Sequence, residues 1–302
     1  MSESPEVWTV LRLLQWTTDY LKKHEMPSPR LEAEILLAEA MHCSRVDLYT
    51  RFDYVPNEAE RAAFKAHIQK RAQGMPVAYL VGHKEFYSID FLVDPNVLIP
   101  RPETEFLIVG LFDLVKETFG SMDAEVSICD IGTGSGILPV TSALHLKNAR
   151  AVGVDISRGA LDVAEKNAQR YAERLGDRVT FQEGDLFSSI AKGTQFDFIV
   201  SNPPYVGRKE IDAELETNVY RYEPHTALFG GEIGTELIGR MLPDVPKFLK
   251  DGGAFLMELS PMIHDAVVEM VRKTPGLTYL RTIRDLDQQE RIIVVQKSGA
   301  GE

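Results

Sequence analysis

The 302-residue chain contains only two cysteines, and they lie far apart in apolar stretches, at Cys43 and Cys129. This placement favours buried, reduced thiols and a cytosolic compartment over a disulfide framework. The chain also lacks any run of 18 or more apolar residues, so no membrane span is expected. Its first ten residues show no basic region followed by an apolar one, and we therefore expect no signal peptide.

Basic charge is scarce as well. The chain carries 33 Lys and Arg against 45 Asp and Glu, and residues 1–80 hold 10 of the basic and 11 of the acidic ones. The excess acid therefore lies in the later part, and an acidic body does not attract a phosphate backbone, so we expect no direct nucleic-acid partner. The seven histidines lack the spacing of metal ligands, which predicts that no metal is bound.

Residues 1–80 are expected to form a small helical domain, because no strand pattern interrupts residues 8–73. Ser28-Pro29 places a capping residue before a proline, which is typical of a helix start. A further helix is predicted from about Asn57 to Gln73. Four residues after Pro29 recur at helical spacing and predict one apolar face, namely Leu31, Ile35, Ala38 and Met41.

Residues 81–102 have a different pattern. The segment from Glu85 to Val93 is β-prone with a polar break in its middle, and prolines follow at positions 95, 100 and 102. We predict that this segment is a β-hairpin that connects the helical domain to the remainder of the chain.

Residues 103–298 alternate strand and helix patterns. Short apolar runs rich in β-branched residues lie at 126–131, 150–155, 178–182, 196–201, 254–259 and 291–296. Helical segments such as Gly159 to Leu175 lie between them. The alternation predicts an α/β domain with a Rossmann-like parallel sheet covered on both faces. A short polar segment between 278–284 and 291–296 predicts a terminal antiparallel hairpin added to that sheet.

A glycine-rich loop follows the first of these strands. The strand ends in Asp130-Ile131 and runs directly into Gly132-Thr133-Gly134-Ser135-Gly136, where glycines let the backbone turn tightly and approach a ligand. Asp155 ends the second strand, a position that typically accepts hydrogen bonds from ribose hydroxyls. The third glycine comes one place earlier than in a dinucleotide site, which favours S-adenosylmethionine (SAM) over a dinucleotide.

Further SAM contacts are expected around this loop. Asp130 can cap the following helix, but it is also well placed to meet the ammonium of the methionine moiety. After the third strand, Asp185 can accept a hydrogen bond from the adenine amine, while Leu186 and Phe187 can pack on the ring; a core position for Phe187 is an equal alternative. The predicted SAM-binding residues are Asp130, Gly132, Thr133, Gly134, Ser135, Gly136, Asp155, Ile156, Asp185, Leu186, Phe187 and Asn202.

The fourth strand ends directly in Asn202-Pro203-Pro204-Tyr205. Ligands of open α/β sheets bind beyond the carboxyl ends of the strands, so this segment is expected to share a pocket with the glycine loop. A planar NH2 group is a poor nucleophile because its lone pair is delocalised. The Asn202 side-chain carbonyl and the Pro203 backbone carbonyl can bind its two hydrogens and aim the nitrogen at the sulfonium methyl.

The remaining residues of the segment suit the same chemistry. Pro203 and Pro204 fix φ and remove competing N–H donors, and Tyr205 can form an aromatic wall against a planar group. We therefore predict that all four residues are catalytic and contact the substrate. The chemistry alone leaves three acceptors open, which are adenine N6, cytosine N4 and the side-chain amide of glutamine.

The chain resembles the release-factor glutamine methyltransferases (PrmC, formerly HemK) over nearly its whole length. The resemblance rests on Ser28–Leu37, Gly82–Tyr87 and Val97–Glu105, followed by the glycine loop, Asp155, Val200–Tyr205 and Tyr222–Gly231 in the family's order. It implies that SAM methylates N5 of the glutamine in the Gly-Gly-Gln motif of bacterial class I release factors, leaving S-adenosylhomocysteine. It also implies that the helical domain helps to dock that partner.

The resemblance further implies that Phe86, Arg101 and Glu103 lie by the cofactor or substrate pocket. Two positions depart from the family pattern. Leu186 stands where an aromatic residue is common, and Glu258-Leu259-Ser260-Pro261 replaces a Glu-Ile-Gly sequence followed by Gln. Two other functions are weighed against this one, a DNA amino-methyltransferase and a SAM-binding protein without turnover. The first would need a basic target-recognition region, and the intact Asn202–Tyr205 segment argues against the second.

Overall fold

Gly82 separates two units of the chain. It ends the last helix of the first unit with left-handed backbone (φ 77°), and His83 begins the first strand of the second. The computed structural model describes residues 7–208 and 217–299, and the two units divide at Gly82/His83. None of the helices in these described ranges is long and apolar enough to cross a membrane. Cys129 is buried and Cys43 is partly exposed, and both are free thiols.

Between residue 7 and Gly82, the described part of the first unit, the chain forms five helices. They are α1 (Val10–Lys23), α2 (Pro29–Ala40), α3 (Arg45–Thr50), α4 (Glu58–Ala72) and α5 (Val77–Val81). Asn57 caps α4 through a capping box with Glu60. The helix predicted from 57 to 73 is therefore confirmed, and α4 begins one residue later and ends one residue earlier than predicted. Helix α2 begins at Pro29 as predicted, but the side chain of Ser28 makes no capping hydrogen bond.

The predicted apolar face of α2 is confirmed in part. Ala38 and Met41 are buried in the core of the unit, but Leu31 is exposed and Ile35 is partly exposed. The other core residues of α2 include Ala33, Leu36 and Leu37.

Two acidic residues of α2 are also buried, because each has cationic or hydroxyl partners that compensate the lost hydration. They are Glu32, which pairs with Arg71 at 2.8 Å, and Glu34, which accepts from Arg30, Arg45 and Tyr49.

The second unit begins with the hairpin that the sequence predicts, β1 (His83–Phe86) and β2 (Ile89–Leu92). Its two-residue turn has positive φ at both Tyr87 (52°) and Ser88 (59°), the backbone that matches the twist of paired strands. The Asn167 side chain, fully buried, accepts from Leu92 N and donates to Leu92 O and Ser135 O. It therefore ties the hairpin to the glycine loop.

A seven-stranded sheet forms the body of the second unit. In chain order its strands are β3 (Ser127–Ile131), β4 (Arg150–Asp155), β5 (Val179–Glu183), β6 (Phe196–Ser201), β9 (Leu249–Glu258), β10 (Leu277–Arg284) and β11 (Glu290–Lys297). Their order across the sheet is β10-β11-β9-β6-β3-β4-β5. All pairings from β9 to β5 are parallel, and β11 is antiparallel to both neighbours, which confirms the predicted α/β sheet with a terminal hairpin.

Helices cover both faces of this sheet, with one core cluster on each face. The helix predicted from 159 to 175 is divided at Tyr171 into two helices, α8 (Arg158–Arg170) and α9 (Ala172–Leu175). The helices are α6 (Glu105–Phe119), α7 (Ile137–His145), α8 (Arg158–Arg170), α9 (Ala172–Leu175), α10 (Thr217–Tyr222), α11 (His225–Leu228), α12 (Glu236–Met241), α13 (Val245–Phe248) and α14 (His264–Lys273). A small parallel pair, β7 (Val206–Gly207) and β8 (Phe229–Gly231), lies outside the sheet.

Candidate active site

The strand order reverses between β3 and β6, and a cavity of about 450 Å³ lies at the carboxyl ends of the strands there. This is the position where open α/β sheets bind ligands, and the volume is in the range of small-molecule sites. The Ser201 hydroxyl at the end of β6 donates to Ile131 O at the end of β3, 2.6 Å away, and fixes the two strand ends together. The cavity brings together Arg101, Gly132, Thr133, Gly134, Ser135, Asp155, Ile156, Asp185, Leu186, Asn202, Pro203 and Pro204 from the predicted residues.

The three glycines of the loop have left-handed backbone but different surroundings. A Cβ added at Gly132 or Gly134 would meet nothing within 4 Å, so these two keep the backbone open to the cavity. A Cβ at Gly136 would lie 3.0 Å from Ala164 Cβ and 3.1 Å from Phe181 Cζ. Gly136 does not line the cavity, and its role is the close packing of the loop against α8 and β5.

Asp155 is held by the backbone of the glycine loop. One carboxylate oxygen accepts from Gly134 N at 2.8 Å, and the other accepts from Ser157 N at 2.9 Å. Burial raises the pKa of Asp155, and these backbone N–H groups oppose the shift. Because each carboxylate oxygen has a second lone pair, the side chain retains acceptors for a diol at the cavity wall.

Asp130 lies at the base of the same loop, where it is fully buried and does not line the cavity. Within the described residues neither of its oxygens accepts a hydrogen bond. Burial raises its pKa to about 7, and the nearby Thr133 hydroxyl opposes the shift. A buried carboxyl without a partner is costly, so this one is a strong acceptor for a cationic group brought to the loop.

The loop after β5 divides between cavity and core. Leu186 has positive φ (54°) and lines the cavity, whereas Phe187 is only 4% exposed and stacks on Phe248 at 4.7 Å between ring centroids. The structure therefore puts Phe187 in the core, not beside a ligand, because the left-handed residue before it turns the chain away. Asp185 lines the cavity and forms an ion pair with Arg240 from α12.

Asn202 has a defined partner. Its Nδ2 donates one of its two hydrogens to Thr104 Oγ1 at 3.0 Å, which orients the carboxamide and leaves Oδ1 as its acceptor for a ligand. Pro203 and Pro204 line the cavity, and a Cβ added at Gly230 would lie 2.4 Å from Pro204 O. Glycine is therefore required at position 230 for the backbone to pass close behind the two prolines.

Tyr205 does not line the cavity, so the predicted aromatic wall is not found. Its hydroxyl reaches back into the molecule and donates to Glu258 Oε1 at 3.4 Å, and its ring packs against the core cluster. Burial raises the pKa of Tyr205, with a further contribution from the Glu258 charge. The residue supports the Asn202–Pro204 segment from behind.

Of the three connector residues expected at the pocket, only Arg101 lines it. Its guanidinium donates to Glu223 Oε1 at 2.6 Å, and the other oxygen of Glu223 accepts from Ile99 N at 3.2 Å. Phe86 is buried in the hydrophobic core beside Phe91, because its strand alternation points it inward. Glu103 lies outside the cavity lining and acts electrostatically on Glu258.

Sequence reasoning missed four residues at or behind this cavity, which are Thr104, Glu223, Arg240 and Glu258. Thr104 and Glu223 lie within the quoted family segments, but their sequence neighbours carry no signal of a buried polar partner. Glu258 ends a strand of the sheet, which was the one available signal. Arg240 lies on a short helix and has no signal in the sequence.

The residues present fit SAM. Two open glycines and a carboxylate held by backbone N–H groups suit a ribosyl group. Asp130, whose oxygens accept no hydrogen bond from the described part of the chain, suits an ammonium. Among the residues that the structure describes, no group of three or more His, Cys, Asp and Glu is arranged to hold a metal ion.

Comparison with known proteins adds the family. Residues 12–82 match the model of the PrmC N-terminal domain, and residues 113–235 match that of the methyltransferase small domain. The release factor glutamine methyltransferase of Rhodopirellula baltica is 46% identical over 291 residues, 96% of this chain and 97% of that protein. The proteins of the same name from Koribacter versatilis and Geobacter sulfurreducens are 42% and 38% identical, and they cover 92% and 97% of this chain and 95% and 98% of their own.

Solved structures show the same fold. A methyltransferase from Pyrococcus furiosus superposes with a TM-score of 0.51 at 18% identity, over 78% of this chain and 98% of that chain. The hMettl16 catalytic domain, crystallised with the MAT2A 3′UTR hairpin 6, superposes with a TM-score of 0.53 at 16% identity, over 77% of this chain and 81% of that chain. At these identities the likeness concerns the class I SAM-dependent methyltransferase fold alone.

Proposed function

Since the chain belongs to the release factor glutamine methyltransferase family, we propose that it methylates N5 of the glutamine in the Gly-Gly-Gln motif of bacterial class I release factors, with Asn202 as the residue that aligns the amide. The observation that carries the role of Asn202 is its hydrogen bond to Thr104, which orients the carboxamide through Nδ2 and leaves Oδ1 as the acceptor for a ligand in the cavity that the glycine loop also lines. An acceptor at that position suits an NH2 group.

The cofactor is held by the loops after β3, β4 and β5 in this proposal. Asp155 would bind the ribose hydroxyls, Asp130 the ammonium, and Leu186 the adenine ring. When bound, SAM supplies an electrophilic methyl group on a sulfonium, which leaves as a neutral thioether. The ion pair with Arg240 engages one carboxylate oxygen of Asp185, Oδ2, so the other oxygen would accept from the adenine amine in this proposal.

At the acceptor end, Asn202 Oδ1 and the Pro203 carbonyl would accept the two hydrogens of the glutamine amide. Holding both hydrogens fixes the plane of the NH2 group and turns the nitrogen toward the methyl donor, which lowers the entropic part of the barrier. The proton of the methylated amide can leave after transfer, so no strong base is needed at the site.

We propose further that the helical unit, which ends at Gly82, docks the release factor. Its match to the PrmC N-terminal domain supports this role. Because release factors act on the ribosome, we place the enzyme in the cytoplasm.

The function is tested by incubation of the protein with SAM and a purified class I release factor, followed by peptide mass mapping. We expect a single-methyl increment on the glutamine of Gly-Gly-Gln and none on a release factor in which that glutamine is replaced by alanine. Methylation of duplex DNA with no mark on the release factor would overturn the proposal. Tight SAM binding with no transfer to either substrate would indicate a binding protein instead.

A further inference from the structure

Two buried side chains lie behind Asn202 and take no direct part in the proposed chemistry. Thr104 and Glu258 are each 1% exposed, and they come from different parts of the chain. β6 and β9 are parallel neighbours with Ser201 opposite Met257, so the register brings Glu258 beside Asn202 at the ends of their strands. Glu258 does not line the cavity, whereas Thr104 and Asn202 do.

The hydrogen bonds among these groups have a direction. Asn202 Nδ2 donates to Thr104 Oγ1, so the hydroxyl hydrogen of Thr104 remains to be donated elsewhere. Glu258 Oε1 accepts from the Tyr205 hydroxyl, and Oε2 has no hydrogen-bond partner among the described residues. Glu258 therefore has an acceptor oxygen to spare, and its strand register places it beside Asn202, the residue that Thr104 contacts.

Electrostatics agrees with this arrangement. Burial raises the pKa of Glu258 to about 7, with a further rise from Glu103, while Thr104, Tyr205 and Arg291 lower it. A hydroxyl that lowers the pKa of a carboxyl is one that favours its ionised form by presenting a hydrogen to it. This orientation turns the Thr104 oxygen toward Asn202.

The direction of the hydrogen bond between Asn202 and Thr104 matters because a carboxamide keeps nearly the same shape when its oxygen and nitrogen exchange places. Which end faces a ligand is decided by the partners of its oxygen and its nitrogen. A threonine hydroxyl alone can accept from Nδ2 or donate to Oδ1, so it does not select between them. An acceptor behind the hydroxyl removes the second option.

We propose that Thr104 and Glu258 are positioning residues that fix the Asn202 carboxamide with its oxygen toward the substrate amide, an inference that rests on the acceptor role proposed for Asn202. With the carboxamide reversed, Asn202 would present N–H donors to the NH2 group of the substrate. That group would then not be aligned for transfer, although SAM would still bind.

The test compares Thr104→Val, which keeps the shape and removes the hydroxyl, with Thr104→Ser, which keeps the hydroxyl. Steady-state methylation of a release factor should show kcat about 100-fold lower for the valine variant. KM for the release factor and the SAM Kd from calorimetry should stay within about 3-fold of the wild-type values, because the contacts with the release factor and with SAM are unchanged. The serine variant should restore most of kcat.

Glu258→Met removes the acceptor behind the hydroxyl and should give a similar loss of kcat. The double variant Thr104→Val/Glu258→Met should be no slower than the worse single variant by more than about 3-fold, because both changes release the same carboxamide. Losses that multiply to about 10⁴-fold would overturn the proposal that Thr104 and Glu258 act on the same carboxamide.

Thr141→Val is the matched control, because Thr141 is also a buried threonine of the second unit whose hydroxyl has no partner among the described residues. It should leave kcat unchanged, and thermal unfolding should show all variants folded.

Asn202→Ala separates the two proposals. If Asn202→Ala retains turnover, the acceptor role itself fails; if it is inactive while Thr104→Val keeps kcat, only the positioning inference fails.

Discussion

At the cofactor end of the cavity the polar contacts come mainly from backbone, whereas at the acceptor end they come from side chains fixed by other side chains. Gly132 and Gly134 leave open space, and Gly134 N holds Asp155. Asn202, in contrast, is oriented by Thr104, which comes from a distant segment. The cofactor end is therefore sensitive to added atoms, and the acceptor end to lost ones.

The largest effect that this comparison predicts is at Asn202. Asn202→Ala should lower kcat by about 1000-fold, because the oxygen that aligns the amide is removed, while the SAM Kd changes by no more than a few-fold. Asn148→Ala, an exposed asparagine remote from the cavity, is the control and should be unchanged. Initial rates and calorimetric titration measure both quantities. A SAM Kd that rises as much as kcat falls would show that the two ends are not separate.

An added methyl group should have the opposite signature at the glycine loop. Gly134→Ala places a Cβ in the space open to the cavity and should weaken SAM binding by at least about 10-fold. Gly120→Ala is matched in backbone strain (φ 71° against 54°) but lies at the end of α6. Both should lose about 1 kcal/mol of stability by chemical denaturation. Equal SAM affinities in the two variants would contradict the role of open space.

The pH dependence of SAM binding tests the carboxyl below the loop. In the ligand-free protein the pKa of Asp130 is about 7, and a cation beside it would favour the ionised form and lower that pKa. Binding then releases a proton below pH 7, so the SAM Kd should rise as pH falls from 7.5 to 6, with a limiting slope of about tenfold per unit.

Two comparisons isolate this carboxyl. Asp130→Asn should bind SAM more weakly at pH 7.5 and lose most of the pH dependence. 5′-Methylthioadenosine, which has the ribose but no ammonium, should show only the dependence that Asp155 contributes. An unchanged pH profile in Asp130→Asn would remove Asp130 from SAM binding.

The smallest predicted effect concerns the adenine end. Leu186→Ala should raise the SAM Kd by about 5-fold, because part of the apolar cover on the ring is lost. Phe187→Ala should leave the Kd near that of the wild type but cost about 3 kcal/mol of stability, since it opens a cavity in the core. Calorimetry and urea unfolding distinguish the two, and the reverse pattern would return Phe187 to the binding site.

The sequence predicts the cofactor end better than the acceptor end for a physical reason. Glycines, a strand-terminal acid and their spacing are local features, because a βαβ unit places them together by itself. The partners at the acceptor end lie 98 residues apart for Asn202 and Thr104, and 122 for Arg101 and Glu223. Such pairs depend on how strands are ordered in the sheet, which no local pattern encodes.

Two side-chain directions show a subtler limit. The sequence leaves Leu186 and Phe187 as alternatives, and the choice depends on one residue with positive φ that is not glycine, which is uncommon. Tyr205 follows two prolines whose fixed φ is predictable, but its direction depends on Glu258 in a neighbouring strand. In both cases the position of the backbone is predictable, but the direction in which the side chain points is not.

The hydrogen bonds by which Asn167 ties the hairpin to the glycine loop also bear on how the chain folds during synthesis. Its side chain joins Leu92, 75 residues earlier, to Ser135, 32 residues earlier. Contacts that close such long loops form late in folding, because the entropy of closure must be lost before they contribute. During synthesis the glycine loop would emerge well before Asn167. The chain would therefore become competent to bind SAM only after α8 has left the ribosome and Asn167 has formed these hydrogen bonds.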